Sequence, residues 1–112
     1  HRCICRANFG RCSPHVTPVG FTFDTSACLA RVITFAGSRK AGHVRARPAQ
    51  RVAVCQVDGG RWLTLEGPAT LSEDRDTNAE GERRYALRYR QPRSRPDRVT
   101  ILIAVDRIFG RA

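Results

Sequence analysis

The chain has 112 residues, which is enough for one domain with a modest hydrophobic core. Apolar residues make up 41% of it, so we expect a packed core rather than general disorder. Its 20 Lys and Arg residues against 10 Asp and Glu give a formal net charge of +10, which favours polyanionic partners. No apolar stretch approaches the roughly 20 residues that span a membrane, and no secretory leader is recognisable. We therefore expect a soluble, cytoplasmic domain that does not bind membranes.

The cysteine pattern favours neither a metal site nor a disulfide scaffold. The five cysteines lie at positions 3, 5, 12, 28 and 55. The first three could form a metal ligand set with His15, but their spacing is not that of the usual zinc sites, so we expect no metal. An odd count without a framework argues against a secreted disulfide scaffold. Cys28 and Cys55 lie in apolar segments and are predicted to be small core residues.

The first part of the chain predicts short strands joined by turns. Residues 1–13 alternate only weakly and predict a poor edge strand with a turn at 8–10. Residues 16–23 alternate well and predict one strand, which Pro18 restricts to a sheet edge. The apolar positions of 28–35 predict the next strand.

A hairpin follows in the middle of the chain. Residues 52–57 are almost continuously apolar, as expected for a central strand. Asp58-Gly59-Gly60-Arg61 predicts a hairpin turn, because glycine adopts positive φ at little cost. Residues 62–71 predict the returning strand, with a bend at Gly67-Pro68.

The last third predicts a charged helix and a terminal strand. Residues 72–90 carry acids first and arginines last, which suits the macrodipole of a helix capped by Ser72. Gly81 costs about 1 kcal/mol relative to alanine, so this helix could form in two pieces. Its thin apolar stripe consists of Ala79, Ala86, Leu87 and Tyr89. After a loop at 91–98, alternating residues predict a strand that ends near Phe109-Gly110.

These elements predict a single, mainly β domain over residues 1–112, with residues 1–12 as an atypical N-terminal segment. The count is five or six strands, a short helix after an early strand and a longer helix before the last strand. Few residues remain for crossover connections, so the sheet should be mostly antiparallel. A small closed or partly closed barrel would cover the edges of such strands.

The stretch 33–48 carries the clearest chemical signal. A β-branched run stops at Gly37, and Ser38, Arg39 and Lys40 lead into a short helix. A strand that enters a helix N-terminus offers free backbone N–H groups and a positive dipole end to an anion. Ser38 can cap the helix or donate to a phosphate oxygen. We interpret this turn as the phosphate-binding part of a cofactor site, with a solvated basic loop as the alternative.

Several segments occur in the order found in a known family. They are Ser13-Pro14-His15-Val16-Thr17-Pro18-Val19, the turn Gly37-Ser38-Arg39-Lys40, the hairpin at 54–60 with Trp62-Leu63-Thr64-Leu65-Glu66-Gly67, and the terminal strand. From residue 13 to 110 the chain resembles the split β-barrel superfamily of flavin- and deazaflavin-dependent oxidoreductases, the pyridoxamine-phosphate-oxidase-like fold. It is most similar to members that use coenzyme F420, and among them to the F420-dependent biliverdin reductases.

The resemblance implies a homodimer with two cofactor sites at the subunit interface. Coenzyme F420 is the implied cofactor and FMN the alternative. Lys40 matches the phosphate-contacting lysine, and His43 stands where many relatives have asparagine. With Ser38 and Arg39 from the anion-binding turn, the candidate cofactor-binding residues are Thr17, Pro18, Val19, Ile33, Thr34, Ser38, Arg39, Lys40, Ala41, Gly42, His43, Val44, Arg61, Trp62 and Leu63. Trp62 either covers the ring or fills the core. No catalytic residue is assigned.

The resemblance implies that reduced F420 transfers a hydride to a conjugated small-molecule acceptor, with biliverdin reduced to bilirubin. An FMN-binding relative and a non-catalytic cofactor-binding module are the alternatives, the latter because residues 1–12 depart from the family pattern. F420 carries a polyglutamate tail beyond its phosphate, and candidate contacts for it are Arg39, Arg45, Arg47 and Arg61. The arginine cluster between Arg83 and Arg98 favours an acidic substrate, such as a propionate-bearing tetrapyrrole. Aromatic residues are too few to favour nucleic acid.

Overall fold

The structure is a computed structural model that describes residues 4–8, 16–18 and 20–111. Within these residues it contains eight strands and two helices. In chain order they are β1 (Ile4–Asn8), β2 (Val16–Pro18), β3 (Phe21–Asp24), β4 (Leu29–Phe35), α1 (Arg39–Ala46), β5 (Arg51–Asp58), β6 (Arg61–Ser72), α2 (Arg75–Arg88), β7 (Arg98–Ala104) and β8 (Arg107–Arg111). No described helix has the length and apolar character needed to cross a bilayer.

All the described strand pairings are antiparallel, as predicted. The strands follow the order β2-β1-β5-β6-β7-β4-β3, and β8 pairs with β6 outside this path. The predicted count of five or six strands was wrong, because two of the predicted strands are each divided into two in the structure. The run at 16–23 becomes β2 and β3, and the terminal run becomes β7 and β8. The predicted hairpin at 58–61 is confirmed, since Asp58 pairs with Arg61 and Gly59 has a φ of 62°.

The strand path curls back on itself. Its two ends, β2 and β3, are separated in the chain only by residues 19 and 20. Three Cα–Cα steps span at most about 11 Å, so the ends of the path must lie close together. The sheet therefore forms a curled half-barrel with two helices, which confirms the predicted small split barrel.

Strand β1 occupies a different place from the one predicted. It lies between β2 and β5, with Ile4 opposite Val57 and Asn8 opposite Ala53. The prediction of an edge strand was wrong, because backbone pairing on both sides needs no strong apolar alternation. Strand β2 instead ends the path, which agrees with the edge position expected from Pro18.

Strand β6 changes its partners at Gly67-Pro68, where the sequence predicted a bend. Its first part pairs with β8 from Trp62 to Glu66, and its last part pairs with β7 from Ala69 to Ser72. Between these two ladders the carbonyl of Ala104 lies so close to Gly67 that a Cβ atom would overlap it. Glycine is therefore required there by a close backbone approach.

Helix α2 is continuous and begins later than predicted. Its N-cap is Asp74, whose carboxylate accepts a hydrogen bond from the Thr77 N–H at 3.0 Å. Ser72, the predicted cap, instead accepts from the Asp74 N–H. Gly81 does not divide the helix, because it faces the sheet. A Cβ atom at Gly81 would lie 2.9 Å from Cγ2 of Ile33, so glycine allows the helix to pack closely.

The core lies inside the curled sheet and under α1. Phe21, Leu65, Ile101 and Ile103 are its largest fully buried side chains, and Val44 of α1 packs into the same cluster. The predicted burial of Cys28 was wrong. Cys28 is exposed in the turn before β4, where its φ is 51°. Cys55 is partly buried in β5.

A cluster of ion pairs connects α2 to β3. Glu80 accepts hydrogen bonds from Arg83 at 2.8 Å and from Arg84 at 2.6 Å, and Arg84 continues to Asp24 at 3.0 Å. The hydrogen bonds from Arg83 and then Arg84 lower the pKa of Glu80 from 4.5 to about 2. The cluster therefore requires an ionised Glu80.

Replacing Gly67 by alanine should destabilise the protein by about 2–3 kcal/mol, because the new methyl group overlaps the Ala104 backbone. The measurement is chemical unfolding at equilibrium. Gly60→Ala is the matched control, since a Cβ atom there meets nothing within 4 Å, and it should change stability by less than about 0.5 kcal/mol. Equal stability of the two variants would contradict the close approach.

Replacing Glu80 by glutamine should remove a pH-dependent part of the stability. The ionised form is favoured in the folded protein, so this contribution is complete above pH 4.5 and is lost as the pH falls through about 2. Unfolding of wild type and Glu80→Gln should therefore differ by a constant amount at neutral pH, and the difference should shrink below pH 4.5. A difference that does not change between pH 7 and acid would contradict this role of Glu80.

Candidate functional site

The turn between β4 and α1 forms a helix N-terminus with spare hydrogen-bond donors. The Ser38 hydroxyl accepts hydrogen bonds from Thr34 Oγ1 at 2.9 Å and from the Ala41 N–H at 3.1 Å. A hydroxyl has two acceptor lone pairs and one donor hydrogen, so the Ser38 hydrogen remains available. The N–H groups of Arg39 and Lys40 lie in the first helical turn and have no acceptor within the helix. The turn thus presents three donors and a positive dipole end.

Lys40 lines a cavity of about 580 Å³, which we call the basic cavity. Its walls come from the chain before β3, from β4, from α1, from α2 and from the loop between α2 and β7. The lining residues are Gly20, Val32, Ile33, Lys40, Tyr85, Arg90, Gln91, Pro92, Arg93, Arg95 and Arg98. Five of them are cationic, and none of the described lining residues is acidic. The cavity is therefore suited to an anion with more than one charged group.

Two of these five cations are already compensated. Arg95 binds Asp97 at 3.0 Å, and Arg98 binds Glu82 at 2.9 Å. Lys40, Arg90 and Arg93 are different, because their side chains form no hydrogen bond or ion pair with any residue that the structure describes. The uncompensated charge of the cavity therefore comes from these three side chains.

Lys40 is the most strongly placed of the three. It is the only lysine in the chain, and its side chain is half-buried. Burial lowers the pKa of Lys40 from its usual 10.5. A desolvated ammonium without a carboxylate partner is costly, and a bound anion would offset that cost. The position therefore favours binding of a phosphate or carboxylate.

Tyr85 lines the cavity on the α2 side and packs against Tyr89. The rings of Tyr85 and Tyr89, one helical turn apart at the C-terminal end of α2, lie 4.8 Å apart and form a packing pair. A Cβ atom at Gly20 would lie 2.9 Å from Cε2 of Tyr85, so glycine lets the ring rest on the backbone. Arg88 and Tyr89 both donate to the carbonyl of Phe21, at 2.7 and 3.1 Å. These contacts hold the start of β3 against the C-terminal end of α2.

A second concave surface lies on β6 and β8, and we call it the apolar groove. Its volume is about 690 Å³, and it is lined by Gln56, Arg61, Trp62, Leu63, Ile108, Phe109, Gly110 and Arg111. Trp62 is 39% exposed and packs edge-on against Phe109, with ring centroids 5.9 Å apart. Trp62 therefore does not fill the core. Ile108 is 52% exposed in the same groove.

The structure brings only part of the predicted site together. Ile33 and Lys40 line the basic cavity, and Thr34 with Ser38 forms the turn beside Lys40. Ala41 and Val44 bury their side chains in the core, so they could reach a ligand only through the backbone. The other predicted positions fall into three groups: Arg39, Gly42 and His43 on α1, Arg61, Trp62 and Leu63 in the apolar groove, and Thr17 and Pro18 in β2. Val19 lies outside the described residues.

Sequence reasoning assigned the arginines that line the basic cavity to an acidic substrate and not to the cofactor site that contains Lys40. Among the candidate contacts for the cofactor tail, Arg45 on α1 and Arg47 at its C-cap do not line the cavity, and Arg45 instead lies 3.4 Å from the carbonyl of Ala36. Arg90 and Arg93 do line it. The signal was present as a run of arginines, but only the fold shows that the loop before β7 lies opposite the α1 N-terminus.

The curled antiparallel half-barrel, with the basic turn between β4 and α1, defines a split-barrel protein. The sequence model of the pyridoxamine 5'-phosphate oxidase family matches residues 7–112. The chain belongs to this family. It is also 50% identical over 100 residues to the F420H(2)-dependent biliverdin reductase of Mycobacterium tuberculosis, in a match that covers 89% of this chain and 72% of that protein.

Solved structures share the same fold. A conserved hypothetical protein of Mycobacterium tuberculosis matches with a TM-score of 0.75 and 21% identity, over 97% of this chain and 75% of that one. A protein named F420 reductase matches with a TM-score of 0.69 and 22% identity, over 96% and 87% of the two chains. At these identities the likeness supports the fold alone.

Proposed function

We propose that the protein is an F420-dependent oxidoreductase that reduces a conjugated acceptor, with biliverdin reduced to bilirubin as the best-supported reaction. The observation that carries the proposal is the half-buried Lys40, which has no ion-pair partner among the described residues, in a cavity with four arginines. The 50% identity to an F420H(2)-dependent biliverdin reductase supports both the cofactor and the acceptor.

The residues around Lys40 fit the anionic part of this cofactor. We assign the phosphate to the α1 N-terminus, where the Ser38 hydroxyl and two backbone N–H groups remain available beside Lys40. FMN ends at its phosphate and would leave Arg90 and Arg93 without a partner. F420 continues into a tail of glutamates, which could supply carboxylates to those cations. The cavity therefore favours F420 over FMN.

The protein's own part in the reaction is to position the cofactor and the acceptor and to keep water away from them. When bound, the reduced deazaflavin supplies the hydride. Ile33 and the backbone of Thr34 lie beside Lys40 and would line the ring. The Tyr85 side chain closes the opposite wall and excludes water from that side. Holding the acceptor at the correct angle accounts for much of the rate in such reactions. We assign no proton donor among the described residues.

We also propose that the protein acts as a homodimer through the apolar groove. Arg61, Trp62 and Leu63 match cofactor-binding positions of the family, yet they line the groove rather than the basic cavity. A second copy placed on the groove would cover its exposed apolar side chains. It would also allow these three residues to contribute to a site at the interface, which explains why one chain holds them apart from Lys40.

The first test of the cofactor is fluorescence titration with F420 and, in parallel, with FMN. We expect tight binding of F420 and weak binding of FMN, followed by oxidation of reduced F420 when biliverdin is added. Tight binding of FMN alone would overturn the F420 assignment. Binding of F420 without turnover of biliverdin would retain the cofactor and overturn the acceptor.

Replacing Lys40 by alanine should weaken F420 binding by about 1.5–3 kcal/mol, or about 10- to 150-fold, because a charged hydrogen bond in a partly desolvated site is lost. Titration of the folded variant measures this. The control is Arg75→Ala, which also removes one positive charge. Arg75 is the first residue of α2 and does not line the basic cavity. The Lys40 assignment fails if both variants bind F420 equally well.

Replacing Ile108 by aspartate should convert the dimer into a monomer, because a carboxylate would be buried against an apolar surface. Light scattering after size-exclusion chromatography measures the mass. Leu87→Asp is the matched control, since Leu87 is 76% exposed on α2 and lies outside the groove. A wild-type protein that is monomeric at micromolar concentration would contradict the dimer.

A further inference from the structure

We propose that Arg90 and Arg93 form a carboxylate-binding subsite beside Lys40, separate from the phosphate position at the α1 N-terminus. The inference rests on the proposed function and adds to it the residues that select a ligand with carboxylates. Both side chains line the basic cavity, and both are exposed to solvent. Neither forms a hydrogen bond or an ion pair with a described residue.

The loop that carries the two arginines is held in place by other contacts. Arg98 donates to the carbonyl of Arg93 at 2.6 Å, and the Arg95 guanidinium lies 4.1 Å from the centre of the Phe35 ring. The first contact uses the Arg93 backbone and the second uses the Arg95 side chain, so the Arg93 side chain contributes to neither. The Arg90 and Arg93 guanidinium groups therefore stabilise no contact among the described residues, and truncating them should leave the fold intact.

Lysine and arginine side chains suit different anionic groups, so the cavity can bind a phosphate at one place and a carboxylate at another. A lysine ammonium is a compact point charge that suits a phosphate next to a helix N-terminus. A guanidinium is a planar fork of donors that matches the two oxygens of a carboxylate. Arg95 and Arg98 are already paired with Asp97 and Glu82. Arg90 and Arg93 are therefore the pair available for a carboxylate ligand.

Two molecules of the proposed reaction carry carboxylates. One is the cofactor, through the glutamates of its tail, and the other is the acceptor, through the propionates of a tetrapyrrole. The experiment compares wild type with Arg90→Ala/Arg93→Ala. The control Arg75→Ala/Arg107→Ala also removes two exposed positive charges, but neither Arg75 nor Arg107 lines the cavity.

The cofactor arm measures the affinity for F420 with its tail and for F420 from which the glutamates have been removed. The acceptor arm measures binding of biliverdin and of its dimethyl ester, in which the propionate charges are absent. Each exposed charged contact contributes roughly two- to fivefold in affinity. We therefore expect the cavity double variant to weaken one carboxylate ligand by about tenfold at low salt, while the control double variant stays within about twofold of wild type.

The outcomes separate the two sources. Weaker binding of tailed F420, with unchanged binding of the trimmed form, assigns the subsite to the cofactor. Weaker binding of biliverdin, with unchanged binding of its ester, assigns it to the acceptor. Unchanged binding of all four ligands overturns the subsite. A wild-type protein that binds no F420 overturns the proposed cofactor instead, and the acceptor arm, measured without cofactor, still decides whether the arginines bind carboxylates.

Discussion

The guanidinium group of Arg98 joins four parts of the molecule at one wall of the basic cavity. It binds Glu82 of α2 at 2.9 Å, the Thr34 carbonyl of β4 at 3.2 Å and the Arg93 carbonyl at 2.6 Å. The Arg98 backbone itself begins β7. Its side chain is only 10% exposed, and hydrogen bonds to charged groups are among the stronger ones in proteins. The relative positions of helix, strand and loop at the candidate site therefore depend on this residue.

This arrangement separates structural arginines from those that are available for a ligand. Arg84, Arg88 and Arg98 connect α2 to the sheet and use their donors within the protein. The side chains of Lys40, Arg90 and Arg93 donate to no residue in the part of the chain that the structure describes. The formal charge of +10 is therefore a poor guide to ligand binding when taken as a total. What matters is the small group of cations that the fold collects in one cavity without acidic partners.

Much of the architecture could be predicted from the sequence, and the errors share a physical cause. Apolar alternation and turn glycines predicted the antiparallel sheet, the hairpin and the turn from β4 into α1. The buried face of α2 was missed because its contacts are polar or lack a side chain. Gly81 packs on the sheet, and Asn78 binds the Arg98 carbonyl and the Thr100 hydroxyl. The predicted apolar stripe instead includes Leu87, which is 76% exposed.

The candidate site was harder to predict than the fold, because its parts lie on two surfaces. The helix N-terminus at Lys40 is formed by consecutive residues, so it could be predicted from their types and order. The loop arginines reach the same cavity only through the return of the chain from α2 to β7. Trp62 and its neighbours lie in the apolar groove on β6 and β8. If a second copy of the chain binds at that groove, each complete site combines the basic cavity of one chain with the apolar groove of the other. The sequence of a single chain then encodes both parts, but it does not show that they meet.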